Sequence, residues 1–153
     1  MKVWLNRGLV AGVLATLAMT VLMAIGEVTG LSPIPRPIPM ALMAWLLRGA
    51  VPRVVLLILG IVAHFAYGGA AGAVFAAALR RFANLWTGLV FGVVLWLGMG
   101  LIFLPLLHWG RFGVYIHPAI GLATLLLHLV YGAVLGWLVV RSRRLEPAAG
   151  AVL

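Results

Sequence analysis

Apolar residues run along this chain in four long blocks, at about 8–31, 54–79, 85–107 and 116–140. Each is long enough for a membrane-spanning helix, which needs roughly 20 consecutive residues. Polar residues collect between the blocks rather than along one face of them, so the pattern predicts helices surrounded by lipid rather than half-wetted ones. Lys2 and Arg7 ahead of the first block give it the look of a signal peptide. Its length and the lack of a small-x-small cleavage site predict a retained span instead. Between the first two blocks, Pro33, Pro35, Pro37 and Pro39 alternate with other residues. They remove backbone donors and favour an extended path, which belongs at the membrane surface rather than in hydrocarbon. The next segment, 40–48 with Trp45 and Arg48, is too short to span and is expected to lie at the interface as a helix in the first outer loop. The pattern as a whole predicts an all-α integral membrane four-helix bundle forming one transmembrane domain over 1–153. A polar tail around Arg141, Arg143, Arg144 and Glu146 is expected to fray.

The blocks also repeat. His64, Tyr67, Gly68 and Gly72 recur with the same spacing as His128, Tyr131, Gly132 and Gly136, and Gly8, Gly12 and Met19 recur as Gly88, Gly92 and Met99. Spans one and two therefore resemble spans three and four, with repeat 1 at about 8–80 and repeat 2 at about 88–142. Two-span units repeated in order keep the same orientation, so the expected symmetry is a parallel, tandem one about the membrane normal. On a helix the histidine, tyrosine and both glycines of each copy share one face. The pairs Gly68/Gly72 and Gly132/Gly136 have the small-xxx-small spacing that lets helix backbones approach in lipid.

Composition narrows the chemistry. The chain is 65% hydrophobic and 8% charged, with no cysteine and no aspartate; Glu27 and Glu146 are its only acids. Disulfides, thiolate sites, paired-carboxylate catalysis and most hard-metal sites are thereby excluded. Nucleophile–base pairs, phosphate loops and metal triads have no residues to stand on, and the chain is not expected to be an enzyme. The formal charge of +9 comes from arginines at span ends. That arrangement fits anionic lipid headgroups and not nucleic acid. With alternating spans, Lys2, Arg7, Arg80, Arg81, Arg141, Arg143 and Arg144 share one side, against Arg36, Arg48, Arg53 and Arg111 on the other. The richer side, carrying both termini, is expected to be cytoplasmic.

His64 and His128 are the candidate functional pair. A histidine deep in a bilayer is costly and should face the interior with a partner. An exchange of hydrogen bonds, Tyr67 with His128 and Tyr131 with His64, would satisfy both. The alternative is ligation of haem b by the two imidazoles, each with a glycine one turn away to admit the macrocycle. Two histidines fall short of the ligand count of a dedicated zinc site. His108 and His117 are expected at the outer interface, with His117 and Pro118 opening the fourth span. Glu27, the one acid inside a span, is expected to pair with Arg48 or Arg53; on a transport path it would instead be a proton carrier.

The run Gly12, Ala15, Thr16, Met19 and Thr20 has a Gly-x-x-Ala-Thr-x-x-Met-Thr pattern. Together with Ala63-His64-Phe65, Gly88-Leu89-Val90-Phe91-Gly92 and the stretch from His128 to Gly136, it resembles small bacterial inner-membrane proteins of the YagU-like, domain-of-unknown-function kind. The resemblance covers all four spans but not the proline loop. It implies a multi-pass protein of the bacterial inner membrane and supplies no activity. The function expected is that of an accessory or structural subunit of a membrane complex, in contact with lipid and with partner subunits or further copies of itself. A haem b electron-transfer subunit and a small solute transporter or channel are the alternatives.

Overall fold

The computed structural model describes residues 2–144. Of the tail expected to fray, Arg141, Arg143 and Arg144 instead form the last turn of a helix that runs to Arg144, and the part around Glu146 lies outside the described residues. Four helices are long and apolar enough to cross a membrane: α1 at Lys2–Val28, α3 at Arg53–Leu79, α4 at Leu85–Gly98 with its continuation to Leu106, and α6 at Ile120–Arg144. The short helix α2, Ile38–Leu46, follows the proline loop, with Pro39 in its first turn where a missing N–H does no harm. A 3-10 turn at Arg80–Phe82 and the N-cap of Asn84 then reverse the chain. Asn84 accepts from the Thr87 backbone N–H while the Thr87 hydroxyl accepts from the Asn84 N–H, a reciprocal cap that fixes the start of α4.

The third span is not one regular helix. After Gly98 the backbone widens into a π turn, Met99–Phe103, before closing as α5, Leu104–Leu106. Pro105 is the physical cause we assign. Its ring would crowd the carbonyl four residues back and it has no N–H to give, and a wider turn relieves both. The turn after α5 folds back onto the bundle rather than floating at the interface. Trp109 is buried, and the Phe112 ring lies over Gly100 and against Trp96, with centroids 4.5 Å apart. Trp96 donates its indole N–H to the Gly121 carbonyl at 3.0 Å, tying α4 to α6 beside that plug. Helix α6 starts at Ile120 rather than at residue 116. His117 and Pro118 precede it in a turn, where His117 Nδ1 accepts the Ala119 backbone N–H.

Two helix pairs are pressed together through glycine. In α1 and α3, a methyl added to Gly12 would strike the Gly68 carbonyl, and one on Gly72 would meet the backbones of Gly8 and Gly12. In α4 and α6, a methyl on Gly88 would strike the Gly132 carbonyl and one on Gly92 the His128 carbonyl. Without side chains between them the backbones touch, which is how helices gain dispersion contact where water offers no driving force. Helix α1 also packs on α6, joining the pairs. Their joint core holds Ala15, Phe75, Leu135 and Val139. A second cluster, with Ala41, Met99, Leu104, Trp109 and Ile120, seats α2 over the far end of the bundle.

Both described chain ends and the Arg80–Phe82 turn lie at one end of the molecule. Arg7 reaches the Ser142 carbonyl at 3.4 Å and Arg143 the Arg81 carbonyl at 3.2 Å. Trp4 is flanked there by the guanidinium groups of Arg7 and Arg80.

Candidate functional site

The helices pack in the order α3, α1, α6, α4, and no comparable backbone packing closes α4 against α3. That open side is bridged by two ring contacts, Tyr67 with Phe103 at 6.3 Å and Phe75 with Phe91 at 5.1 Å. Behind it lies a cavity of about 150 Å³. Its walls draw on every span: Met19 on α1, His64 on α3, Leu95 on α4 and His128 on α6 among them, with Met99 from the π turn and Leu42 from α2. Tyr67 lines the cavity yet is 44% exposed. The cavity therefore reaches the outer surface of the bundle at Tyr67, within α3, a helix long and apolar enough to cross a membrane.

The structure brings His64, His128, Tyr67, Tyr131 and Gly68 together on this one wall system. At ~1.5 Å per residue, His64 lies about 16 Å along α3 from Arg53 and His128 about 12 Å along α6 from Ile120, so both sit well inside their helices. The expected exchange between histidines and tyrosines does not form. The Tyr131 hydroxyl donates instead to the Gly68 carbonyl at 2.6 Å, which glycine leaves uncovered. His128 Nδ1 lies 2.8 Å from the carbonyl of Thr124 on its own helix. Since a carbonyl can only accept, Nδ1 carries the proton and Nε2 holds a lone pair. His64 has no such bond, and its Nε2 is fully enclosed without a partner among the described residues. The two halves thus use the same residues differently: one tyrosine and one histidine are tied down, while the Tyr67 ring stands at the opening and His64 keeps an unspent nitrogen.

Glu27 is elsewhere. It is exposed on the last turn of α1, and neither Arg48 nor Arg53 holds its carboxylate. The pairing expected from sequence does not form: Arg48 ends the turn after α2, at φ 52, and Arg53 opens α3 as an exposed residue. Gly72, Gly132 and Gly136 serve helix contact and do not line the cavity. His108 and His117 also lie outside it.

The enclosed space is small for haem b. A cavity of 150 Å³ is that of one benzene-sized ring. A tetrapyrrole is several such rings across, and drug-sized molecules already need roughly 300–1,000 Å³. No group of three or more metal-ligating His, Asp or Glu side chains occurs among the described residues. Much of the lining was not evident in the sequence. Thr16 belongs to a stripe that sequence spacing does show, but Met99 and Phe103 take their places through the π turn, which the apolar pattern of 85–107 conceals.

Four helices long and apolar enough to cross a membrane mark a multi-pass membrane protein. The chain belongs to a family of unknown function, DUF6789, whose model it matches over residues 3–148. No curated protein and no solved structure matches it.

Proposed function

We propose that the protein is a membrane subunit without catalytic machinery of its own, which holds a small apolar molecule taken sideways from the bilayer. The observation that carries this is the carbon-lined cavity inside the spans, open at Tyr67 on the one side where no helix packing seals the bundle. A buried apolar space beside lipid is filled most readily by something already dissolved in lipid. Helix α2 roofs the cavity with Ile38 and Leu42, which favours entry between α3 and α4 over entry from water. Glu27 stands outside the cavity, so a proton-coupled transport path through it gains no support.

The bundle is a tandem duplication of a two-helix unit. In support, the same glycine pairs make the α1–α3 and α4–α6 contacts, with the second pair slipped by one helical turn: Gly8 meets Gly72, whereas Gly88 meets Gly132. The arginine-rich end, with both termini, faces the cytoplasm of a bacterial inner membrane and binds anionic headgroups. The proline loop and α2 face outward. As an accessory subunit, the protein presents its cavity to a membrane complex.

Purification from native membranes in mild detergent, followed by solvent extraction and mass spectrometry, tests the proposal. Wild-type protein is expected to release a small apolar molecule in stoichiometric amount. Ala63→Phe, which puts a ring of its own into the cavity, is expected to release none while remaining folded. Equal recovery from both would refute the proposal.

A further inference from the structure

We infer that the ligand is a lipid with a single-ring head bearing a hydroxyl group, such as an alkylphenol or a hydroquinone, its apolar tail leaving between α3 and α4. This rests on the cavity being a ligand site and adds its chemical class. Three observations carry it.

The first is size. The 150 Å³ available suits one six-membered ring and little more. Any longer molecule must keep its remainder outside, and the open side at Tyr67 is where a tail can go. The wall there is aromatic, with the Tyr67 and Phe103 rings set edge to face at 88°, a surface on which a further ring finds offset or edge contacts.

The second is the direction of the hydrogen bond that His128 offers. With Nδ1 donating to Thr124, its Nε2 accepts, and an acceptor in an apolar cavity calls for a donor on the ligand. A hydroxyl supplies one; a bare hydrocarbon does not. The third is His64. Its enclosed Nε2 has no partner among the described residues, and a buried polar atom left alone loses the hydrogen bonds it makes in water. A ring oxygen in the cavity can serve it as either donor or acceptor. The Thr16 and Thr124 hydroxyls already donate to carbonyls of their own helices, so they keep acceptor lone pairs but no proton to give. The Tyr131 hydroxyl likewise donates to Gly68. The lining groups with no hydrogen bond spent at the atom in question are thus Nε2 of the two imidazoles and the Tyr67 hydroxyl, the other hydroxyls offering lone pairs only.

The test uses the full chain in nanodiscs, with empty nanodiscs as the partition blank. Saturable binding is measured for 4-octylphenol and for octylbenzene, which differ by the hydroxyl alone. Wild-type protein is expected to bind the phenol roughly tenfold more tightly, the value of one hydrogen bond of ordinary net strength. His128→Phe and His64→Phe are each expected to shrink that preference while keeping octylbenzene binding, which also reports that they are folded. His128→Gln, which restores an acceptor, is expected to recover part of it. Equal wild-type binding of the two compounds would overturn the hydroxyl assignment and leave the cavity site standing. A preference untouched in both phenylalanine variants would overturn the roles of the histidines. Saturable binding of neither compound would overturn the site itself.

Discussion

At the scale of single residues, the two halves of the chain diverge at their most similar positions. Tyr131 is almost fully buried and its hydroxyl ends on Gly68; Tyr67 is 44% exposed and its ring meets Phe103. Removing the two hydroxyls should therefore have unequal effects. Tyr131→Phe is expected to lower stability by about 0.5–2 kcal/mol, the range for interhelical hydrogen bonds in membranes. Tyr67→Phe is expected to leave stability within error. Unfolding in mixed micelles measures both, and equal losses would contradict the assignment. The sequence makes His64, Tyr67, His128 and Tyr131 visible as a set, because a polar side chain amid apolar neighbours needs a reason. It does not show which partner each takes. That choice depends on side-chain rotamers and on which carbonyl a glycine leaves bare, and neither follows from spacing.

At the scale of elements, the spans are legible because lipid demands long unbroken apolar helices, and the glycine stripes are legible because close backbone approach demands them. Their energetic weight is testable by contrast. Gly92→Ala drives a methyl into the His128 carbonyl, whereas a methyl at Gly98 meets nothing within 4 Å. The first is expected to destabilise by about 1–3 kcal/mol, as overpacking does, and the second to be neutral or slightly stabilising through helix propensity. A thermal melt of the two variants beside wild type decides the matter; similar melting points would show that the α4–α6 contact is looser than described. The π turn escapes a sequence reading. Pro105 announces a disturbance in the third span, but not that the backbone would widen over Met99–Phe103 instead of kinking. The Phe112 plug escapes it too, because its φ of 53° is set by the space between Gly100 and Gly121, far apart in sequence. Helix α2 is visible as a short helix, while its seat over the cavity depends on Gly60 letting the Met40 backbone approach α3.

At the scale of the whole molecule, the bundle is two tight pairs joined on one side and left open on the other. Closing the second side would give a solid bundle with no interior; leaving it open gives a cavity with its mouth between α3 and α4. The sequence points to the number of spans and to a shared depth for the two histidines, but not to the open side, which depends on how the pairs rotate against each other. The central claim is that a molecule dissolved in the bilayer reaches the interior. The direct measurement is photolabelling of the protein in liposomes with a phenyl-diazirine that partitions into lipid, with adducts mapped by peptide mass spectrometry. Outward residues such as Leu14, Val94 and Leu126 are labelled under any account. Adducts on the buried Met19, Met99 and His128 as well, suppressed in Ala63→Phe, are the predicted result. Labelling confined to the outward residues would contradict it.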